Sequence, residues 1–222
     1  MNSEQELRET ICKAGRSLYD RNLVAATDGN LSARIGEGRY LCTPSGCSLG
    51  EMQPADIVIA DAAGAKLEGE GKVSSEFFTH LAAYEERPDI AAVVHAHPPN
   101  AVALTLAAVS MEPYILPELV FAVGGVPTAP YATPGTKEGA EVIRDLIREC
   151  DALLLDRHGA LTVGDGVVDA YRRMEKIEHS AQSLIAARSL GTVHTLDDDQ
   201  LDRILKARAE YGVNGKFFRA KN

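Results

Sequence analysis

The sequence predicts a single α/β domain in which short buried strands alternate with amphipathic helices. Three observations predict it. The 222 residues are 45% apolar, enough for one sizeable core, and no Pro/Gly/Ser-rich linker divides them. Short apolar runs of strand length, Ile57-Val58-Ile59, Val93-Val94 and Leu153-Leu154-Leu155, run out into turn signals. Between them lie stretches whose apolar residues recur every three to four positions. The whole of 1–222 is therefore one domain, with 212–222 expected as a mobile tail.

Along the chain, Leu7, Ile11, Ala14 and Leu18 mark an amphipathic helix over 4–23. Residues 27–34 form a glycine turn feeding a strand, and 40–46 a strand running into a second turn. Residues 57–59 and 65–67 bracket a hairpin at 61–64. Ser74 or Ser75 is a natural N-cap for a helix reaching Arg87-Pro88, which places Glu76 in its first turn. Residues 100–108 are read as a helix, 117–123 as another strand, and 124–136 as turns. Helices follow at 137–149, 167–190 and 196–211, the long one carrying a stripe of Ala170, Met174, Ile177, Ala181, Leu184 and Ile185.

The chemistry centres on Val93-Val94-His95-Ala96-His97-Pro98-Pro99. On a strand alternate side chains share a face, so His95 and His97 point the same way, and the prolines stop the strand where that face opens. The chain has only six histidines, and a third, His158, again follows a buried run. Three neutral imidazoles hold Zn²⁺ with one position left open, the pattern of a catalytic site. The other view, a satisfied polar patch, stands on the residues alone. For Glu76 a helix-start carboxylate and a metal-side ligand or proton-transfer group are equally good accounts. His80, one helical turn on, is read as packing or an outer partner. Glu118 heads an apolar run and is a candidate acid or base, though a solvated strand end accounts for it too. The turns at 27–34 and 43–46 and the helix start at Ser74-Ser75 offer hydroxyls and free N–H groups, a neutral phosphate cradle.

Composition excludes other classes. A net charge of −9 without a basic cluster argues against nucleic acid and anionic membranes. No apolar run nears 18 residues and the amino terminus is polar and acidic, so a soluble, cytoplasmic protein is expected. Cys12, Cys42, Cys47 and Cys150 lack CxxC spacing and are read as reduced and structural, not as ligands.

With Gly29-Asn30, Thr43-Pro44-Ser45-Gly46, Ser74-Ser75-Glu76, His95-Ala96-His97 and His158-Gly159 in this order, the chain resembles the class II aldolase/adducin-head family. Within that family the resemblance is to the L-fuculose-1-phosphate aldolase type, and it runs from the first helix to about Tyr211. It implies a central, mainly antiparallel sheet flanked by helices, assembled as a C4 homotetramer with zinc near subunit interfaces. It further implies Glu76, His95, His97 and His158 as zinc ligands, and Asn30, Ser45, Gly46, Ser74 and Ser75 around the phosphate of a small phosphorylated sugar. Tyr211 matches a tyrosine that closes over a neighbouring active site.

Where the fuculose-phosphate enzymes have a proton-donating tyrosine, this chain aligns Glu118. The activity implied is zinc-dependent cleavage of a ketose 1-phosphate, of the fuculose or 5-deoxypentulose type, into dihydroxyacetone phosphate and an aldehyde. Glu76, Glu118 and Tyr211 are the candidate catalytic groups, and Phe217 and Phe218 are placed at a small apolar end of the sugar. Glu118 is also reminiscent of methylthioribulose-1-phosphate dehydratases, which generally lack the carboxylate kept here as Glu76. The Glu76 carboxylate likewise weighs against the ribulose-phosphate epimerases, which tend to have aspartate. A phosphorylated sugar-acid decarboxylase is a further alternative, whereas the intact ligand set argues against a non-catalytic adducin-like module.

Overall fold

The computed structural model describes residues 3–111 and 114–219. Seven helices surround one eight-stranded sheet among them. In chain order these are α1 (Glu4–Asp20), β1 (Asn30–Gly36), β2 (Arg39–Cys42), β3 (Val58–Asp61), β4 (Lys66–Glu68), α2 (Phe77–Glu86), β5 (Ala92–Ala96) and α3 (Pro99–Leu106). Then come α4 (Pro117–Ala122), β6 (Thr128–Ala129), α5 (Lys137–Ile147), β7 (Ala152–Leu155), β8 (Gly159–Gly164), α6 (Val167–Leu190) and α7 (Asp198–Glu210). The strand order is β4-β3-β2-β1-β5-β8-β7-β6, antiparallel throughout except for the β6–β7 pair.

The middle of the sheet is buried on both faces, so β5, β7 and β8 read as near-continuous apolar runs broken by His95 and Thr162, instead of alternating. Val94, Leu154 and Ala160 face a core shared with Ile11 and Leu18 of α1, Leu104 of α3 and Met174 and Ile177 of α6. Val93, Leu153 and Leu161 face the other core, with Phe77 and Leu81 of α2 and Ile143 and Ile147 of α5. By the two-residue period of a strand, His95 shares the face of Val93 and so looks toward α2.

The stretch 117–123 is a helix, α4, where the sequence reads as a strand. Pro117 occupies its first turn, where a missing N–H costs nothing, and Glu118 sits beside the positive end of the helix dipole. The two-residue strand β6 had no counterpart in the sequence pattern.

The described part of the tail is seated on the domain. The Lys216 N–H donates to Asp151 Oδ2 at 2.9 Å, and the Tyr114 hydroxyl donates to the Phe218 carbonyl at 2.6 Å. Phe217 stacks on Tyr114 at 5.3 Å between centroids. The tail backbone passes directly over Gly124 and Gly125, and a Cβ on Gly125 would collide with the Phe218 carbonyl oxygen. Gly125→Ala is therefore expected to lift the tail and destabilise the protein by about 1–3 kcal/mol. Thermal unfolding with limited proteolysis checks this: new cleavage after residue 212 is the expected sign, and an unchanged digest would refute it.

Candidate active site

The site forms where the ends of β5 and β8 meet the start of α2. Glu76 is the N-cap of α2, one position outside the helix, and its N–H donates to Ser74 Oγ at 3.3 Å. The helix thus begins two residues later than a Ser74 cap implies and one later than a Ser75 cap implies. His95 lies within β5, opposite Asn30 of β1 and Leu161 of β8. His97 lies just past the strand, held by its N–H to the Leu23 carbonyl at 2.9 Å, and Pro98 and Pro99 then open α3. His158 sits in the turn joining β7 to β8, after Arg157 in left-handed conformation. Gly159 follows because a Cβ there would meet the Ala96 carbonyl, and would lie 2.9 Å from His97 Cδ2 and 3.0 Å from His95 Cε1.

These elements bring Glu76, His95, His97 and His158 together, with one ligand atom from each lying within 4.8 Å of the others. His95 Nε2 is 3.1 Å from His97 Nε2 and 3.1 Å from Glu76 Oε2, and His158 Nε2 is 3.3 Å from Glu76 Oε1. The outer partners decide which atoms carry protons. His95 Nδ1 faces the Ala160 carbonyl at 3.0 Å, an oxygen that only accepts, so Nδ1 bears the hydrogen. His97 Nδ1 faces the Asp28 carboxylate at 3.5 Å, with the same consequence. In the neutral rings both Nε2 atoms are then bare lone pairs, aimed at each other and at a carboxylate. Such a group repels itself unless a cation sits at its centre, and carbonyl or carboxylate partners behind the imidazoles are the usual support of a metal ligand.

Burial supports the same protonation state. It pushes His158 down to about 4, helped by the charge of His95, and lowers His97 by the same two causes. Neutral imidazoles ready to coordinate are therefore present at neutral pH. Burial alone would raise Glu76, but in the acidic range where its carboxyl titrates the imidazoles are protonated, and a hydrogen bond from His95 with the positive charge of the three rings then outweighs burial. The Glu76 carboxyl lies well below the usual carboxylate range. Three imidazole nitrogens and one carboxylate fit a borderline-soft divalent ion such as zinc.

Beside this cluster opens a polar cavity of about 370 Å³, lined by Asn30, Ser45, Gly46, Ser74 and Ser75, and by Pro134 and Gly135 from the loop after β6. Among the described residues no lysine or arginine lines it. Gly46 has φ 75°, a turn that glycine adopts without strain. Asn30 is 5% exposed and its Nδ2 donates to Glu76 Oε2 at 3.3 Å, so it addresses the carboxylate as well as the cavity.

Glu118 and Tyr211 lie elsewhere on the chain. Glu118 lines a groove with Phe121, Lys176 and Arg203, and exposed Tyr211 packs edge-on against Phe121 at 6.0 Å. Within one chain neither is among the residues lining the metal-type cluster or the polar cavity. Asp28, behind His97, carries no signal of its own in the sequence beyond its place in the 27–34 turn. For Pro134 and Gly135 the proline-glycine turn was the available signal.

Comparison with known proteins agrees with this geometry. Residues 9–185 match the model of the Class II Aldolase and Adducin N-terminal domain. The chain is 35% identical over 210 residues to 5-deoxy-D-ribulose 1-phosphate aldolase of Bacillus thuringiensis serovar kurstaki, covering 94% of this chain and 98% of that protein. It is 36% identical over 186 residues to 3-oxo-tetronate 4-phosphate decarboxylase of Cupriavidus necator, covering 82% and 85%. The solved structure of an L-fuculose 1-phosphate aldolase superposes with a TM-score of 0.83 at 31% identity, covering 93% of this chain and 97% of that one. The sheet order, the Glu/His₃ cluster and the extent of these matches lead to one conclusion: the chain belongs to the class II aldolase and adducin N-terminal domain family, among its metal-dependent lyases.

Proposed function

We propose that this protein is a zinc-dependent aldolase cleaving a ketose 1-phosphate reversibly into dihydroxyacetone phosphate and an aldehyde. The observation that carries the reading is the convergence of Glu76 with three imidazole nitrogens beside a neutral hydroxyl- and glycine-lined cavity. The nearly full-length match to a 5-deoxy-D-ribulose 1-phosphate aldolase supports a small apolar end on the sugar. Glu76, His95, His97 and His158 would hold the zinc. Bound there, zinc supplies the positive charge that stabilises the carbanion left by C–C cleavage.

The chain's own groups do the rest. Ser45, Gly46, Ser74, Ser75 and Asn30 fix the phosphate, which sets the C3–C4 bond against Glu76. A base takes the C4 hydroxyl proton, the C3–C4 bond breaks to release the aldehyde, and a proton passed on to the Glu76 carboxylate is delivered to C3, so that the O–H proton lost at C4 is matched by the C–H gained at C3. Glu118 and Tyr211 lie apart from Glu76 on their own chain. Our reading assigns them to the aldehyde side of a neighbouring subunit's site, in a cytoplasmic homotetramer.

The test is release of dihydroxyacetone phosphate from a panel of ketose 1-phosphates, in a coupled assay with and without a chelator. Release that a chelator stops and zinc restores is the expected result. The decarboxylase match supplies the second reading, for which carbon dioxide from a 3-oxo sugar-acid phosphate, with no triose phosphate from any ketose, would be the sign.

A further inference from the structure

His80 has no part in the chemistry above, yet it is the most deeply placed histidine near it. It lies on α2, one helical turn from Glu76, and is 1% exposed. Its Nδ1 is 2.7 Å from Ser32 Oγ, which is 2.9 Å from the buried Tyr84 hydroxyl. A phenol buried this deeply keeps its proton, and the Ser32 hydroxyl is the neighbour that can take it. Tyr84 therefore donates to Ser32, Ser32 donates to His80 Nδ1, and the His80 hydrogen is fixed on Nε2.

That Nε2–H is buried with no hydrogen-bond partner among the described residues. An orphaned buried donor is costly enough to call for an account. His80 and Glu76 together line a small cavity, with Thr79 and His158. It offers about 20 Å³ to the centre of a water, above the roughly 10–15 Å³ that one water needs. The Glu76 carboxylate, already met by Asn30, His95 and His158, has acceptor capacity left for a further donor.

We propose that His80 is a positioning residue for Glu76: its Nε2–H reaches the carboxylate through one water held in this cavity and holds it in the orientation from which it moves a proton. The Tyr84–Ser32 relay serves to lock the required tautomer. The proposal deepens the aldolase reading and rests on it for the rate effects, though not for the hydrogen bond itself.

The test has two parts. In ¹⁵N-labelled full-length protein, imidazole NMR should show His80 as the Nε2–H tautomer, assigned by its loss in His80→Asn. That Nε2–H signal should shift in Glu76→Ala. An Nδ1–H tautomer, or a signal indifferent to Glu76→Ala, would overturn the proposal whatever the reaction is. In the second part, exchange of the C–H proton of dihydroxyacetone phosphate with solvent is followed together with zinc affinity in apoprotein. His80→Asn keeps the Ser32 contact and loses the far donor, so its exchange rate in fully zinc-loaded protein should fall about 10- to 100-fold at unchanged KM, the affinity measurement setting the zinc needed for full loading. His80→Gln places an amide N–H near the Nε2 position and should restore most of the rate. Equal loss in both variants, or no loss in His80→Asn, would refute the role. Wild-type protein that exchanges no proton would remove the aldolase reading instead, leaving the NMR result to decide the hydrogen bond.

Discussion

Alanine at position 95 is expected to abolish productive metal binding, and turnover with it. The His95 ring is the hub of the cluster: its Nε2 stands 3.1 Å from both His97 Nε2 and Glu76 Oε2. Its Nδ1 is fixed on the Ala160 carbonyl, which holds the ring in the orientation that presents Nε2 to the cluster. Losing an outer partner of a metal ligand costs roughly 10- to 100-fold in affinity. Losing the ligand itself should exceed about 100-fold. Asp28→Asn is the matched control, since it only loosens the orientation of His97 and should fall within that roughly 10- to 100-fold range. Competition against a chromophoric chelator measures both. An alanine variant that held zinc as tightly as the wild type would remove His95 from the centre.

The second large effect is expected far from the cluster, at Asp151. This carboxylate is 1% exposed at the start of β7 and is shared by two buried guanidiniums. Arg87 Nη2 meets Oδ1 at 2.8 Å and Arg173 Nη1 meets Oδ2 at 3.1 Å. Arg87 also donates to the Ile147 and Cys150 carbonyls, and Arg173 to the Val163 carbonyl, so neither cation can turn out to water without abandoning backbone oxygens. Asp151→Ala leaves both cations leaning on Asp89 and Asp169 alone. Breaking a buried pair by removing one partner costs about 3–5 kcal/mol. Urea unfolding should show that loss as a lowered midpoint with an unchanged slope. The tail should loosen as well, because the Lys216 N–H loses its acceptor. A midpoint within error of the wild type would mean that the network stabilises nothing.

What could be read beforehand follows from the range of the interactions involved. Helix α6 was legible to the residue because its apolar stripe repeats over 24 positions. Helix α4 was not, since its six residues are too few to display a helical period and its apolar run reads equally as a strand. That His95 and His97 meet was legible from their two-residue spacing, although β5 ends at Ala96 and His97 lies one residue past it, and the three buried runs placed their strands. The partners behind the rings were not. Whether Asp28 reaches His97, or Ala160 reaches His95, depends on how β1, β5 and β8 lie side by side, which no local pattern encodes. The orphaned donor of His80 was hidden for the same reason, because it exists only once Ser32 has claimed the other ring nitrogen.

The Glu/His₃ cluster gathers its members from the cap of α2, the end of β5 with the residue after it, and the turn before β8, which the unfolded chain scatters widely. An ion held there binds the folded chain far better than the unfolded one, since only His95 and His97 are neighbours without the fold. Each tenfold rise in free metal above the dissociation constant then adds about 1.4 kcal/mol to the folded state. For a domain of marginal stability, that increment sets how much of the population is open to proteases. In the cell, metal supply would govern the lifetime and amount of this protein as well as the rate at which each copy works.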